Sequence, residues 1–459
     1  MTKIVVLFIL GFHLFLLLIF QFTSWPELIS YPYFFSKGFV FYKDFVMPYT
    51  PGLPLILSGV ISFFKFSPEA LRIFTFIIIL LTDLLLFFNL RLVNKTKVSL
   101  IFLAVYVVLQ TLFDGDMLWF DYATIAFILA ALFFSNKAID KSRKRYIILS
   151  GLFFSLAVLI KQIAFIYFFA FLILVPIIFR KEILNKFIIC LAAFLLPLII
   201  FFIYLLITNS IFDFWNWNFY YPLFEWSKFP GYVALKISRN QVLTLILPLT
   251  PLLLIFSRIK IFLNKKIILA FSLLLAAILA IYPRFSYFHF QPALALVFVL
   301  GFMIFNFLSE NFKYLQLLIF LVVVISEVYL LGPFNINSEI RFYAESEKNL
   351  VNLIKNRTDK TDKIYLFGPN SSIYALTNRL APKPWIDTFG WYMEVPGIQD
   401  QLIGGFIKDP PIVIVYSPPL RGNAYDLGTY KPKKVLEYMY KNYYKDDVLD
   451  GVEFWRIKK

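Results

Sequence analysis

The chain has little of what builds disulfides and metal sites. Cys190 is its only cysteine, and His13 and His289 are its only histidines. A single cysteine excludes an intramolecular disulfide and any metal site built from several cysteines. The sequence also lacks a Walker loop, HExxH, GxSxG and a Cys/His cluster, so a nucleotide-driven pump within this chain is not expected. It contains neither a fixed-period repeat nor a low-complexity linker.

Charge is also scarce, at 16% of the residues, against 60% hydrophobic and 20% aromatic residues. Apolar runs of about 18 to 22 residues recur, which is the length that crosses the hydrocarbon core of a bilayer. The composition therefore predicts a polytopic α-helical membrane protein. The apolar runs cover roughly residues 4–22, 51–64, 70–90, 98–113, 117–135, 146–160, 163–179, 187–208, 242–256, 267–282, 290–307 and 314–332.

The few charges indicate how these runs are oriented. Residues 1–332 contain 26 Lys/Arg against 13 Asp/Glu, and the excess lies in the loops, as the positive-inside rule predicts for cytoplasmic loops. The net charge of +16 therefore indicates membrane orientation and no nucleic-acid partner. If 51–64 crossed the membrane, the most basic loop, 137–145, would face outward. The shortness of this run and its Pro51 and Pro54 indicate a juxtamembrane or re-entrant helix instead.

Eleven spans then satisfy the charges and predict a multi-pass protein of the plasma (cell) membrane with a cytoplasmic N-terminus. The first apolar run has no clear cleavage site and is interpreted as an uncleaved signal anchor. Residues 1–332 form the predicted transmembrane domain, with a first outer loop at 23–69. From residue 333 onward, charged residues become frequent and β-like runs appear at 363–368 and 411–416. The tail 333–459 is therefore predicted to be a small extracytoplasmic α/β domain.

Asp44 is the strongest candidate for chemistry among the outward-facing residues. It lies between aromatic residues in Tyr42-Lys43-Asp44-Phe45, shortly before the turn at Pro51-Gly52. Aromatic neighbours partly desolvate a carboxylate and raise its basicity, as a general base requires. A solvated loop residue is the alternative. Glu27, in the same loop, is a weaker candidate for contact with an acceptor or a cation.

A second acidic loop, Asp114-Gly115-Asp116, joins two predicted spans on the same side. Its carboxylates are candidates for binding an acceptor or a divalent cation, and they are the expected partners of Asp44. A plain turn made by Gly115 is the alternative. Asp121 lies one turn inside the next span, where an ionisable group is expected to be functional or paired. His13, within the first span, is expected to pack against neighbouring helices.

Basic and hydrogen-bonding residues occur at two outer turns. Lys161 and Gln162 interrupt a stretch that makes only two short helices, so their turn is expected near the level of lipid phosphates. Arg284, Tyr287 and His289 lie between two later spans. These five residues are candidates for binding a donor phosphate; snorkelling lysine and belt aromatics are the alternatives. The aromatic run 215–221 is expected to stack on sugars, to line a lipid groove or to belong to the interfacial belt.

With these residues in view, the chain resembles the GT-C superfamily of polyprenyl-phosphate-sugar-dependent glycosyltransferases. That group includes protein O-mannosyltransferases and the bacterial lipid A aminoarabinose transferase. The resemblance covers nearly the whole chain: Asp44 is similar to the catalytic Asp of the first outer loop, 51–54 to the start of the juxtamembrane helix, and Asp114 and Asp116 to the second-loop acidic motif. The family's paired acidic residues are represented only by Glu27, and its Lys-Pro-Pro turn is replaced by Tyr49-Thr50-Pro51-Gly52.

The residues and the resemblance together imply an inverting glycosyltransferase that moves a sugar from a polyprenyl-phosphate carrier to a lipid, glycan or protein acceptor on the outer membrane face. A transporter or flippase of lipid-linked sugars is an alternative, although it would place ionisable residues near the bilayer midplane. A ligase or polymerase that uses lipid pyrophosphate donors is another. The sequence specifies no cofactor beyond a possible divalent cation, and it leaves open the sugar, the acceptor and any metal.

Overall fold

The computed structural model describes residues 2–92, 96–179, 183–233, 238–336, 339–418 and 432–458. Most of these residues are helical. The α-helices are α1 (Thr2–Ile19), α2 (Glu27–Ser36), α3 (Gly52–Ile61), α4 (Pro68–Arg91), α5 (Thr96–Leu112), α6 (Phe120–Lys141), α7 (Lys144–Ile160), α8 (Phe165–Ile178), α9 (Ile183–Ile207), α10 (Ile211–Trp215), α11 (Arg239–Ile246), α12 (Lys265–Leu279), α13 (Tyr287–Phe305), α14 (Glu310–Asn335), α15 (Glu345–Arg357), α16 (Ser372–Thr377), α17 (Gly390–Met393), α18 (Ile398–Lys408) and α19 (Lys433–Asn442). The strands are β1 (Ile364–Phe367), β2 (Val413–Tyr416), β3 (Tyr443–Leu449) and β4 (Val452–Ile457).

Every predicted apolar run coincides with helix. Within the described chain, seven helical segments are long and apolar enough to cross a membrane: Thr2–Ile19, Pro68–Arg91, Phe120–Lys141, Ile183–Ile207, Arg239–Arg258, Tyr287–Phe305 and Glu310–Gly332. The other four predicted spans correspond to α5, α7, α8 and α12, which have 17, 17, 14 and 15 residues. The polytopic helical class is therefore confirmed, and the number of eleven spans stays a prediction.

The outward faces of these helices match a lipid environment. On α1 the buried residues are Val6, Ile9, His13 and Leu17, spaced as one face of a helix, whereas Phe8 is 75% exposed. The C-terminal half of α9 exposes a row of large apolar side chains, including Leu196, Ile199, Ile200 and Ile203. Surfaces this apolar are unfavourable in water and favourable in hydrocarbon.

The run at 51–64 is short, as predicted. Gly52–Ile61 forms α3, and Ser62–Phe64 continues as a single 3-10 turn. Ten residues of α-helix extend about 15 Å, half of the hydrocarbon thickness. This length agrees with a juxtamembrane helix and excludes a full span.

The chain divides into two compact units that differ from the predicted division at residue 332. Unit 1 contains residues 1–22, 73–201 and 235–338, and unit 2 contains 23–72, 202–234 and 339–459. The tail therefore packs with the first outer loop and with the segment after α9. The predicted boundary stays a prediction for membrane topology, but it does not delimit a separately packed tail.

Unit 1 is a helical bundle around α13. Residues 290–305 of α13 are all buried, which is expected for a helix that is apolar on every side. Helix α6 packs along α7, and the Ser135 and Ser150 hydroxyls form a 2.6 Å hydrogen bond between them. Such paired hydroxyls satisfy each other in an interior without water.

Unit 2 contains a four-stranded mixed sheet in the order β1-β2-β4-β3. Strands β1 and β2 are parallel, with Ile364 opposite Val413, whereas β4 is antiparallel to both β2 and β3. The predicted small α/β fold of the tail is therefore confirmed. Strand β3, Tyr443–Leu449, was not expected, because its sequence is rich in charged residues. In the sheet it lies at one end of the strand order.

We predict that Gly151→Ala destabilises unit 1. A Cβ at Gly151 of α7 would lie 2.5 Å from the Cys190 carbonyl oxygen of α9, so the two helices must separate, at a cost of about 1–3 kcal/mol. Gly11→Ala in α1 is the matched control, because nothing lies within 4 Å of its added Cβ. Thermal unfolding in detergent should show a lower midpoint for Gly151→Ala only. Equal midpoints for both variants would contradict the close approach of α7 and α9.

Candidate functional site

Asp44 lies in a tight turn of unit 2. The Tyr42 backbone is left-handed, with φ 70°, and the turn closes through the Asp44 amide, which donates to the Val40 carbonyl at 2.9 Å. In return, the Val40 amide donates to Asp44 Oδ2 at 2.9 Å. The carboxylate is therefore fixed by its own loop.

A distant segment, 383–387, completes the environment of Asp44. Lys383 Nζ donates to Asp44 Oδ2 at 2.7 Å, across 339 residues of sequence. The backbone pairs as well: the Trp385 amide donates to the Asp44 carbonyl at 2.8 Å, and the Val46 amide donates to the Trp385 carbonyl at 3.0 Å. The salt bridge to Lys383 was not foreseen from the sequence. The expectation that Asp114 and Asp116 act together with Asp44 stays a prediction.

Glu27 is the most deeply buried acidic residue of the first outer loop. It lies in the first turn of α2 and is 5% exposed. Burial, together with the nearby Asp387 carboxylate, raises the pKa of Glu27 to about 8. Desolvation likewise raises the pKa of Asp387 to about 6, although hydrogen bonds from the Thr388 amide and from Ser371 oppose the shift. Two acids that lie close together and are poorly hydrated resist ionisation.

In unit 1, Asp121 forms hydrogen bonds with two of the predicted phosphate-binding residues. Lys161 Nζ and His289 Nδ1 donate to Asp121 Oδ2 at 2.6 Å and 2.7 Å. The side chains are 13%, 16% and 4% exposed for Lys161, His289 and Asp121. Asp121 lies in the first turn of α6, where the helix dipole favours a carboxylate. The expectation that Asp121 is paired is correct, but its two partners were not foreseen.

The turn at Lys161 forms as predicted. Helix α7 ends at Ile160, Lys161 is extended, and a 3-10 turn begins at Gln162 before α8. The extended backbone directs the Lys161 side chain to Asp121. Because the side chain is largely buried, snorkelling to the surface does not describe it. Gln162 is half-buried and is not among the side chains bonded to Asp121 in the described structure.

Arg284 and Tyr287 precede His289 in the sequence but differ in their contacts. The guanidinium charge of Arg284 interacts electrostatically with the His289 ring. Tyr287 accepts a hydrogen bond from Thr244 Oγ1 at 3.2 Å and packs edge-on against Phe113, with 5.6 Å between ring centroids. Tyr287 is therefore held between two other segments of unit 1.

The acidic turn of unit 1 is rigidly held. The Gln110 side-chain amide donates to the Gly115 carbonyl at 3.1 Å, and Gln291 donates to the Gln110 and Phe113 carbonyls at 2.8 Å and 2.6 Å. A Cβ at Gly115 would lie 2.1 Å from the Gln110 carbonyl oxygen, so glycine is required there. Asp114 is half-buried and Asp116 is 3% exposed.

A polar network behind this turn extends to the first helix. His13 contacts Asp83 of α4 through Nδ1 at 2.6 Å and Gln110 of α5 through Nε2 at 2.8 Å. All three side chains are fully buried. His13 therefore packs between helices, as expected, and it fixes the orientation of the Gln110 amide that holds the turn.

The aromatic run 215–221 belongs partly to the interior of unit 2. Most of it forms a π-helix, Asn216–Glu225. Trp217 is buried and contacts Tyr392, with 5.8 Å between ring centroids, and Trp226. Trp215 is 56% exposed. Core packing thus accounts for Trp217, and Trp215 remains available at the surface.

Metal binding by a larger cluster finds no support in the described residues. Among them, no group of three or more His, Cys, Asp or Glu side chains is placed to hold a metal ion. Asp121, the carboxylate that bonds to His289, already binds two basic groups. A cation would therefore have to be held by fewer carboxylates, with water or carbonyl oxygens completing its shell.

This chain is similar in sequence to one protein family and in fold to several solved structures. A family model described as dolichyl-phosphate-mannose-protein mannosyltransferase matches residues 48–207. No curated protein matches the sequence. Among solved structures, ArnT from Cupriavidus metallidurans bound to undecaprenyl phosphate has a TM-score of 0.66 at 11% identity, covering 98% of this chain and 97% of ArnT.

A second solved structure agrees. The archaeal oligosaccharyltransferase AglB from Archaeoglobus fulgidus, in complex with an inhibitory peptide and a dolichol-phosphate, has a TM-score of 0.61 at 11% identity. The match covers 99% of this chain and 74% of AglB. At such identity the likeness establishes the fold, and the expected fold class is confirmed.

We predict that Asp121→Asn destabilises the protein by about 3 kcal/mol, because it leaves a buried lysine without its counter-ion. Asp140→Asn is the matched control: Asp140 pairs with Lys266 at 2.7 Å, but it is 41% exposed, so its loss should cost under about 1 kcal/mol. Thermal unfolding of both variants measures the difference. Indistinguishable midpoints would contradict the buried ion pair.

We also predict that stability falls as pH rises from about 5 to 9 in the presence of a chelator. The folded-state pKa values of Glu27 and Asp387 lie above their ordinary values, so the folded state binds more protons than the unfolded state. The stabilising contribution is complete below the ordinary pKa values. It is lost between the ordinary pKa and about pH 6 for Asp387, and between the ordinary pKa and about pH 8 for Glu27, at up to about 1.4 kcal/mol per pH unit for each group.

The matched variants for this pH dependence are Glu27→Gln and Glu394→Gln. Glu394 is exposed, so its variant should keep the wild-type decline between pH 5 and 9. Glu27→Gln should flatten the decline, because the glutamine does not ionise. Midpoints measured across the pH range decide the matter, and an unchanged slope in Glu27→Gln would refute the assignment.

Proposed function

We propose that this chain, which has the fold of the GT-C glycosyltransferases, transfers a sugar from a polyprenyl-phosphate carrier to an acceptor hydroxyl with inversion at the anomeric carbon. The observation that carries the proposal is the Asp121 cluster, in which one buried carboxylate holds Lys161 and His289 together. Two fixed basic groups suit a phosphate. ArnT, with the same fold, binds undecaprenyl phosphate, and this supports a lipid phosphate as the ligand.

Asp44 is the proposed general base. It takes the proton of the acceptor hydroxyl as the acceptor oxygen forms a bond to the anomeric carbon. The bond from that carbon to the phosphate oxygen breaks, and its electron pair leaves with the polyprenyl phosphate. No strong general acid is needed, because the leaving phosphate is a stable anion.

Lys161, His289 and Arg284 are the proposed clamp for that phosphate. Because the leaving group gains negative charge, the fixed positive charges of Lys161 and Arg284 lower the barrier. Asp121 is a positioning residue: it accepts from His289 Nδ1, which leaves Nε2 as the nitrogen available to a ligand. Gln162 and Tyr287 complete the proposed donor contacts.

Asp114, Asp116 and Glu27 are proposed to orient the acceptor or a cation. Asp114 is the more accessible of the first two. The acceptor is a lipid, a glycan or a protein, and the proposed membrane is the plasma (cell) membrane, with the tail on the outer face.

The test is transfer from polyprenyl-monophosphate sugars, labelled in the sugar, to an acceptor mixture in detergent. Asp44→Asn should reduce the rate by about 100-fold or more, the usual contribution of a general base. Asp400→Asn is the matched control, because Asp400 also pairs with a lysine, Lys434, but both are 59% exposed. Full activity in Asp44→Asn would eliminate Asp44 as the base.

The same assay separates the alternatives. A ligase or polymerase would use pyrophosphate-linked donors in preference to monophosphate-linked ones. A flippase would move the labelled lipid across vesicles without breaking its bond to the sugar. Either result would overturn the proposed reaction.

A further inference from the structure

The segment that follows α9 presents an apolar face at the surface of unit 2. It contains the short helix α10 and the π-helix Asn216–Glu225. The Trp215 ring packs against Phe219, with 5.1 Å between centroids, and the Tyr220 ring packs against Phe224, at 5.3 Å. Five large side chains, each 43% to 83% exposed, form the aromatic face of this segment: Phe212, Trp215, Tyr220, Leu223 and Phe224.

The aromatic face continues the surface of a membrane-spanning helix. Helix α9 is long and apolar enough to cross a membrane, and its C-terminal end, residues 202–207, belongs to unit 2. At that end Leu206 and Ile207 are 51% and 77% exposed. Only residues 208–210 separate α9 from Ile211, where α10 begins. The aromatic face therefore begins where the span ends, which is the level of a membrane–water interface.

The residue types of the face indicate its partner. Trp and Tyr are favoured at the headgroup level of a bilayer, because their rings are apolar and carry one polar group. Amphipathic segments in the interface bury Phe and Leu about 5–10 Å into it. None of the five side chains is charged, whereas the pair Glu225 and Lys228, joined at 3.3 Å, lies beyond the face in the sequence. So large an exposed apolar surface is unfavourable in water.

The other side of the same segment contacts the loop that carries Asp44. Phe214 packs edge-on against Tyr42, with 5.1 Å between ring centroids. The Asn218 side-chain amide donates to the Met47 carbonyl at 3.5 Å. These two contacts lie before and after Asp44 in the sequence, so the position of the segment determines the position of the loop.

We propose that the aromatic face is embedded in the membrane interface where α9 ends, and that it thereby fixes the depth of the Asp44 loop relative to the bilayer. Its partner is the lipid surface, at the boundary between headgroups and acyl chains. The embedding of the face does not depend on any transfer reaction, whereas its consequence for Asp44 as a base rests on the proposed function.

The first test measures the depth of the face with a nitroxide label in the full chain, in nanodiscs of phosphatidylcholine and phosphatidylglycerol. The native Cys190 is fully buried, so labelled wild type gives the background. Phe224→Cys carries the label on the face. Lys434→Cys, at a tail residue that is 59% exposed, is the aqueous reference, and Ile199→Cys, at a 51% exposed residue of α9, is the lipid reference.

Electron paramagnetic resonance compares collisions of each label with oxygen, which dissolves in lipid, and with a nickel chelate, which stays in water. We expect the ratio of oxygen to nickel collisions for Phe224→Cys to lie severalfold above that for Lys434→Cys and below that for Ile199→Cys, as an interfacial depth requires. A ratio equal to that of Lys434→Cys would overturn the proposal. So would spin–spin broadening that disappears on dilution with unlabelled chain, because it would identify a second copy as the partner.

The second test asks whether the face sets the depth of the Asp44 loop. The label is placed on Lys43→Cys, at the exposed residue before Asp44. Adding Leu223→Asp should raise nickel collisions at this label severalfold, because a charge is expelled from the interface. Ile407→Asp is the matched control, since Ile407 is a 66% exposed apolar residue elsewhere in unit 2. Equal nickel collisions in both variants would overturn the coupling. Transfer activity enters neither readout, so the proposed reaction is tested separately.

Discussion

Unit 2 depends on one backbone pairing, between residues 44–46 of the first outer loop and Trp385 of the tail. Two hydrogen bonds, at 2.8 Å and 3.0 Å, join these segments. Once this register is set, Lys383 reaches Asp44 and Asp387 lies near Glu27. A shift by one residue would point both side chains to the opposite side, because neighbouring side chains of extended backbone alternate. The aromatic packing of Trp385 on α2 opposes such a shift.

In unit 1 the main constraint is that polar groups buried among apolar helices need hydrogen-bond partners. An unsatisfied polar group there costs several kcal/mol. Asp121 meets this constraint with two donors on one oxygen. His13, the Oδ2 atom of Asp83 and Gln110 meet it with a chain of hydrogen bonds that ends at the Gly115 carbonyl. The same bonds that satisfy buried groups also fix the acidic turn, so packing and positioning are not separate here.

The sequence predicted the elements that arise from local patterns. Apolar length located the spanning helices, the prolines and shortness of 51–64 marked α3, and the β-like runs became β1 and β2. It also marked Asp121 as a paired residue, because a charge inside a span demands a partner. It could not identify Lys383 or Asp387, since their interactions arise only when the tail meets the first outer loop, and Lys383 and Asp44 are 339 residues apart. Neither residue lies in a local motif that distinguishes it from other polar residues of the tail.

The two lysine salt bridges differ in what they permit. Lys383 is 45% exposed, so its attraction to Asp44 is screened by water and is worth about 1 kcal/mol or less. An acceptor hydroxyl can therefore replace that contact at little cost. Lys161 and Asp121 are 13% and 4% exposed, and breaking such a pair costs several kcal/mol. Lys161 is thus suited to act without leaving Asp121, as a fixed positive charge that offers its remaining N–H groups to a phosphate. A mobile partner at the base and an immobile one at the leaving group are what the proposed transfer requires.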